Sequence, residues 1–550
     1  MSPLAPSAGP LRCVAGVALV FAASGLASCG QRRAGAERPA RRDITILHTA
    51  DLHSHLFDEP LAIGAADAAR GLGPEGETVS VGGVARLATV LERERAASDR
   101  SVYLDAGDVL EGTAVYTLFH GVPELQALDA LGVDAMAIGN HDLDPGDSVF
   151  RALEQRWAKF PLLAANLAPE LSDGVAAETA LVERDGVTVG VIGLGHAPDR
   201  APDVGASAAA VMAAIDRIRS AADVIAVVSH LGSDLDAELV PRTTGIDVVL
   251  GGHTHDVLEP KTVFDCDRVT AERYGCNPRP VPVVHPGAYG RYVGRVDLVV
   301  SSTVEDLRGA DPRAPGVVLD AHCSLLPVDA GVPERADVRA LLAPYHDALV
   351  RAGFEKPFAF APETVSRTAD GGGDSALGDA ILDALRSSAG ADLAFLNTTG
   401  IRADVPKGTV TLDDLYRVLP FDDEVVTFEA SGKDVSRALE DVARSTCERR
   451  NTSQAELSGG TLELDCSGSG SAVLAVAGAP LAVAATYRVV TTSFLTESGG
   501  FFDLPDVTIH RTGALLRDVW IDRVRKASPC PEQPPLPCID TVADGRIRVQ

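Results

Sequence analysis

Ile44-Thr-Ile-Leu-His-Thr-Ala-Asp-Leu-His53 starts as a β-rich run and ends in two residues of metal-ligand type. Asp51 and His53 stand two apart, so a single loop can turn both towards one ion. The same design recurs four more times. Ser101–Leu104 leads to Gly107-Asp108, and Ala135–Ile138 leads to Gly139-Asn-His-Asp142. Val224–Ser229 leads to His230, and Asp247–Leu250 leads to Gly252-His-Thr-His255. One Asp-x-His or His-x-His in a loop is ordinary surface polarity. Five such segments, each at the carboxyl end of a predicted strand, predict an α/β layered domain whose loops converge on one crevice.

Around this pattern lie further strand-like runs, Leu162–Ala165 and Val187–Leu194, and helical ones. Val84–Ala97 keeps Val84, Leu87, Val90 and Leu91 on one face; Glu124–Leu131 and Ser148–Trp157 also read as helices. Pro333–Ala352 reads as a helix linking two domains, since 550 residues are too many for one core. Beyond Phe354 the texture changes: helices are predicted at Ala376–Ser388 and Gly432–Thr446, and strands at Leu393–Leu396 and Val425–Ala430. The reading is therefore α/β for residues 43–325, a helical linker at 326–353, and an α+β domain at 354–550.

The N-terminus predicts export. Arg12 precedes an apolar stretch, Cys13–Ala23, too short to span a bilayer, and Leu26-Ala-Ser-Cys29 closes it. This resembles a lipoprotein signal: residues 1–28 are removed, Cys29 takes the lipid anchor, and 29–42 form a basic tether. The plainer alternative is a signal peptide cleaved near Ala27. Membrane association is expected only through the anchor, facing the periplasm or exterior. Nine cysteines suit that compartment. Proximity pairs Cys266 with Cys276, Cys447 with Cys466 and Cys530 with Cys538, and leaves Cys323 as a buried, unpaired thiol. A formal net charge of −28 argues against a nucleic acid polymer as partner. A site for a small anion then needs local positive charge, which metal cations supply.

The residue types fit two divalent ions. Asp108 is the natural carboxylate to bridge them, Asn140 offers an amide oxygen, and His230, His253 and His255 add imidazoles. Mixed nitrogen and oxygen donors suit Zn, Mn, Co or Fe. Such a pair can hold a hydroxide and polarise a phosphoryl oxygen at once. His141 follows Asn140 at the rim, where an imidazole can stabilise phosphoryl charge or donate a proton, and Asp144 can orient its ring. Asp105 reads as a turn residue, and His120, His196, His285 and His322 as structural histidines.

His48-Thr-Ala-Asp-Leu-His53, Leu104-Asp-Ala-Gly-Asp108, Gly139-Asn-His-Asp142, His230 and Gly251-Gly-His-Thr-His255 together resemble the calcineurin-like metallophosphoesterases. Within them the chain is most similar to the bacterial 5′-nucleotidase, UDP-sugar hydrolase and 2′,3′-cyclic phosphodiesterase group, across almost all of its length past the tether. The resemblance implies a layered αββα metallophosphoesterase domain and a C-terminal domain that binds substrate and rotates against it. It implies Asp51, His53, Asp108 and His255 on one metal, Asp108, Asn140, His230 and His253 on the other, and His141 with Asp144 as a catalytic dyad. The reaction it implies is attack of a metal-bridging hydroxide on a nucleotide phosphate ester.

Asn397-Thr-Thr-Gly-Ile-Arg402 resembles the family's Asn-Gly-Gly-Gly-Ile-Arg loop, implying a phosphate contact from Arg402 and a base or sugar contact from Asn397; Arg367 is a second arginine of that kind. Phe421 and Phe494 match the aromatics that sandwich a nucleobase. The chain departs from the pattern at Thr398 and Thr399, at Asp422-Asp423, and after Gly500, where Phe501-Phe502-Asp503 replaces the usual Asp-Gly-aromatic. These changes leave open a sugar nucleotide, a 2′,3′-cyclic nucleotide, or the carrier-bound sulfonate of the related sulfur-oxidation hydrolases. A lipoprotein that binds a ligand without turnover is the reading from another class, and it predicts missing metal ligands.

Overall fold

The computed structural model describes residues 41–144, 152–153, 156–167, 176–197, 201–258, 261–301, 318–368, 373–448, 453–467, 470–496, 501–502, 504 and 507–550. The signal sequence, Cys29, most of the tether, Ser148, Gly499, Gly500 and Asp503 lie outside these residues. The chain divides into two compact units, one of residues 1–111 and 119–344, the other of residues 112–118 and 345–550.

The first unit is two sheets face to face. One has the order Val318–Pro327, Tyr292–Ser301, Arg41–Thr49, Ser101–Asp105, Ala135–Ala137, Leu162–Leu163, Ala176–Ala177. The other runs Lys261–Phe264, Pro280–Val284, Val248–Gly251, Val224–Ser229, Val187–Leu194, Thr179–Arg184. Ile44, Ile46, Val102, Leu104, Ala135 and Ala137 of the first sheet share one buried core with Val189, Val191, Ala226, Val228, Val248 and Leu250 of the second. The central strands of the second sheet, Val187–Leu194, Val224–Ser229 and Val248–Gly251, are almost wholly buried, so they read as runs rich in β-branched residues rather than as alternation. Helices cover the outer faces: Val204–Ile218 closes the second sheet through Val211, Ala214 and Ile215. The layering is αββα.

The central strands pair in parallel with matched ends. Thr49 stands opposite Asp105, and Ser229 opposite Gly251. The loops that follow therefore leave the sheets together. The antiparallel edge formed by Tyr292–Ser301 and Val318–Pro327 is not foreseen in the sequence reading. Cys323 is fully buried on this edge, within the shared core. It is disulfide-bonded, which corrects the expectation of a free thiol. Pairing by sequence proximity finds only local bridges, and the three local ones do form: Cys266–Cys276, Cys447–Cys466 and Cys530–Cys538.

The linker helix spans Ala336–Ala352 with Pro344 inside it, three residues shorter at its start than the periodicity predicts. The second unit centres on a five-stranded sheet in the order Ala455–Ser458, Leu393–Asn397, Thr486–Thr492, Glu424–Ser431, His510–Leu515. Helices Ala376–Ala389 and Leu516–Arg525 pack on it through Ile381, Leu385, Trp520 and Val524. Gly432–Glu448 packs on its other face, with Val435, Leu439 and Val442 against Phe395 and Phe428. Phe502 joins that core, 4.9 Å from Phe395 between ring centroids. Among the described residues no helix is long and apolar enough to cross a membrane.

Candidate metal centre

The five ligand-bearing segments meet at the carboxyl ends of the strands. Backbone hydrogen bonds tie them before any side chain is considered: Asp51 N–H donates to Gly107 O, His53 N–H to Asp108 O, and Gly252 N–H to Ser229 O, each at 2.9 Å. Asp51, His53, Asp108, His253 and His255 all adopt the left-handed backbone region, with φ between 46° and 76°. That region costs a non-glycine residue energy and is held by its surroundings. Here it aims side chains of consecutive loop residues inward. Gly139 is required by contact rather than by φ: a Cβ there would fall 2.1 Å from Asp108 Oδ1.

Two groups of donors result. Asp51, His53 and His255 form one, and Asp108, His230 and His253 the other, with the donor atoms inside each group within 4.8 Å of one another. Asp108 Oδ2 reaches both, at 2.9 Å from His230 Nε2 and 3.7 Å from His53 Nε2. Asn140 joins the second group through Oδ1, 3.0 Å from His253 Nδ1.

The hydrogen bonds behind the rings select their tautomers. His230 Nδ1 faces Ala106 O at 2.7 Å, and His53 Nδ1 faces Glu111 O at 3.1 Å, so in both neutral rings Nδ1 carries the hydrogen. Each Nε2 then presents a lone pair to the cluster. His53 Nε2 and His255 Nε2 are 3.0 Å apart, and His230 Nε2 faces a carboxylate oxygen. Such close approaches are favourable only with a proton or a cation between the two atoms. Burial raises the Asp51 carboxyl to about 8, against the pull of His230 and with the push of Asp108. Burial would lower His230, but the Asp108 and Asp51 carboxylates carry it to about 10. The mixed carboxylate, imidazole and amide donors, gathered this closely, fit divalent ions.

Supporting side chains surround the ligands. Asp142 accepts backbone N–H bonds from Gly139, Asp108, Val109 and Leu110 at 2.8 to 3.3 Å, tying two ligand loops to one carboxylate. Asp105 accepts from Thr49 Oγ1 and Gly107 N–H, bracing its turn. Ser229 Oγ donates to Asp236 Oδ1 at 2.5 Å, and the other Asp236 oxygen meets His285 Nε2 at 2.9 Å. Gly251 lies on this network so closely that a Cβ would sit 2.1 Å from His285 Nε2. His196, given no partner by the sequence reading, packs its ring 4.4 Å from that of His253. Tyr289 lies 5.3 Å from the His255 ring and carries Arg291 on its face. Neither residue has a spacing signal, because each reaches the site from a loop that carries no ligand.

His141 sits at the rim, its side chain one-fifth exposed, with Nδ1 2.5 Å from Asp144 Oδ2. Burial would lower its pKa, but Asp108 and Asp144 raise it well above the usual range.

In the second unit, Asn397, Arg402 and Arg367 gather on one loop cluster. Asn397 is 9% exposed; its Nδ2 donates to Thr399 Oγ1, and its buried Oδ1 has no hydrogen-bond donor. Arg402 lies over the Phe421 ring at 5.7 Å, and Arg367 Nη1 donates to Ile401 O at 3.2 Å. Phe494 is 51% exposed, so it is no core residue.

Comparison with known proteins agrees with both halves. Residues 44–257 match the calcineurin-like phosphoesterase family, and residues 355–506 match the 5′-nucleotidase C-terminal domain. The chain belongs to the 5′-nucleotidase family of metal-dependent phosphoesterases. It is 26% identical over 473 residues to the "Probable 5′-nucleotidase" of Treponema pallidum, covering 76% of this chain and 78% of that protein. It is also 26% identical over 448 residues to the "Trifunctional nucleotide phosphoesterase protein YfkN" of Bacillus subtilis, covering 72% of this chain but only 27% of that longer protein. Among solved structures, the 5′-nucleotidase precursor from Thermus thermophilus superposes with a TM-score of 0.75 at 25% identity, over 92% of this chain and 99% of that one.

Proposed function

We propose that this family member is an exported 5′-nucleotidase working with two divalent ions. The observation that carries the reading is the shared reach of Asp108, whose one carboxylate lies against both donor groups. Asp51, His53, Asp108 and His255 would hold one ion, and Asp108, Asn140, His230 and His253 the other. When bound, the ions polarise the phosphoryl group and lower the pKa of a water for attack. The residues do the rest. The tautomers set by Ala106 O and Glu111 O keep the Nε2 lone pairs turned inward. His141, held by Asp144, stabilises charge on the phosphoryl oxygens and donates a proton to the leaving ester oxygen. The net change is addition of one water across the P–O ester bond.

The second unit carries the case for a nucleotide. Arg402 supplies a planar fork for phosphate, with Arg367 beside the same loop. Asn397 stands at the head of the same loop for a base or ribose contact, and Phe421 with the exposed Phe494 offers ring faces to a base. The named activities of the Treponema and Bacillus relatives support the same substrate class.

A panel of nucleoside monophosphates, sugar nucleotides and 2′,3′-cyclic nucleotides, each with added Mn or Zn, tests this reading. Turnover should be highest on a nucleotide ester, vanish with a chelator and return with metal. Arg402→Ala should raise KM for nucleotides roughly tenfold to a hundredfold, the loss of a charged hydrogen bond of about 1.5–3 kcal/mol. Inactivity on every member of the panel with both metals would sink the nucleotide assignment. Export rests on the short apolar stretch Cys13–Ala23 and the Leu26-Ala-Ser-Cys29 that follows it. Cys29→Ser should move the protein from the membrane fraction to the soluble one; an unchanged distribution would remove the lipid anchor.

A further inference from the structure

Glu111 faces two parts of the centre at once. It ends the Asp108 loop in the left-handed region, with φ 57°. Its backbone carbonyl lies 3.1 Å from His53 Nδ1 and fixes that ring's tautomer. Its side chain turns the other way. It is 7% exposed as a residue, and Oε2 lies 3.6 Å from His141 Nδ1, the nitrogen that also meets Asp144 at 2.5 Å. Atoms of Glu111, His141 and Asp144 that can bind a proton or cation lie within 4.8 Å of one another. Burying a second carboxyl group beside one already paired is unfavourable unless both use the same cationic partner or one of them keeps its proton.

We propose that Glu111 is a third, positioning member of the His141–Asp144 pair. The inference rests on the reading of His141 as the proton donor. Asp144 alone would pin Nδ1 from one side and leave the ring able to swing about its Cα–Cβ and Cβ–Cγ bonds. Glu111 closes the other side. The ring packs edge-on to His53, with centroids 5.3 Å apart, so two carboxylates and one imidazole edge bound its movement. With Nδ1 committed to the carboxylates, Nε2 serves the leaving oxygen. The same residue holds His53, so the proton donor and one ligand group are referenced to a single backbone turn.

The role predicts a dependence on the leaving group. A proton donor matters for a poor leaving group, such as the 5′-oxygen of a nucleoside, and little for 4-nitrophenolate, which leaves without a proton. The test uses the full chain loaded with Mn, with adenosine 5′-monophosphate and 4-nitrophenyl phosphate as the two esters. Glu111→Gln should lower kcat on the nucleotide by about 30-fold, less than the roughly 10²–10⁴-fold of a lost proton donor because His141 itself remains, and on the nitrophenyl ester by less than about threefold. KM and bound metal, measured by elemental analysis, should stay unchanged, because the carbonyl that holds His53 belongs to the backbone. Glu111→Asp should recover part of the loss. Equal losses on both esters, lost metal, or no loss would overturn the proposal. His141→Ala separates this from the parent reading. If it shows the leaving-group dependence and Glu111→Gln does not, only the role of Glu111 falls. If His141→Ala slows both esters equally, the proton-donor reading itself falls.

Discussion

Asp108→Ala should reduce kcat on every phosphate ester by on the order of 10⁴-fold, about 5 kcal/mol of transition-state stabilisation at 1.36 kcal/mol per tenfold. The size follows from position. Asp108 Oδ2 lies against both donor groups, and Oδ1 accepts the His141 N–H at 2.8 Å. Removing the side chain takes a donor from one group and a carboxylate from beside the other, and it frees the turn that carries His141. Bound metal should fall together with activity when counted by elemental analysis. Stability should fall as well. Alanine at a positive φ costs about 1–2 kcal/mol; burial would raise the Asp108 carboxyl, but His230, His141 and His53 hold it well below its usual range, so its loss also removes favourable pairing with those imidazoles. A metal-loaded variant that still hydrolysed its best ester at the parent rate would disprove the assignment of the centre.

Asp142→Ala should have the largest effect on folding. Four backbone N–H groups from two loops converge on this one buried carboxylate. A buried donor left without an acceptor costs about 1–3 kcal/mol. Shared acceptors and relaxation reduce the sum, so the expected loss is about 5 kcal/mol or more, comparable with the whole stability of many domains at 5–15 kcal/mol. The variant should be recovered unfolded, or unfold at a much lower urea concentration. Asp142→Asn keeps one carbonyl oxygen and should fall between the two. A midpoint shift worth less than about 1 kcal/mol for alanine would show that the collar does not hold the loops.

These two residues differ in how far the sequence exposes them. Asp108 follows a strand and a glycine and carries a ligand side chain, so its position in the pattern marks it. Asp142 shares the Gly139-Asn-His-Asp segment with Asn140 and His141, and nothing in that spacing says that its carboxylate turns back onto the Asp108 loop. Glu111 escapes the pattern for a similar reason: its side chain reaches His141 only because its backbone is left-handed, and φ is not written in residue type. His196 and Tyr289 join the centre through ring contacts between loops far apart in sequence. Cys323 is the converse case. Its neighbours predict nothing, and counting nearby cysteines assigns it no bridge.

The sequence alone determined the alternation of strand and helix, the five ligand segments and the change of texture near Phe354. Periodicity, strand-end position and donor type are local properties, and each element carries its own copy. Only the tertiary structure decided how the segments combine. Matched ends of parallel strands, Thr49 with Asp105 and Ser229 with Gly251, bring the loops to one level. Left-handed turns then aim the donors, and the two sheets share the core that holds both sets of loops together. Ligand chemistry is a property of single residues. Which carboxylate lies against both groups, and which stands beside His141, is set by distances of about 3 Å between residues up to about 200 positions apart, and those distances exist only once the sheets have packed.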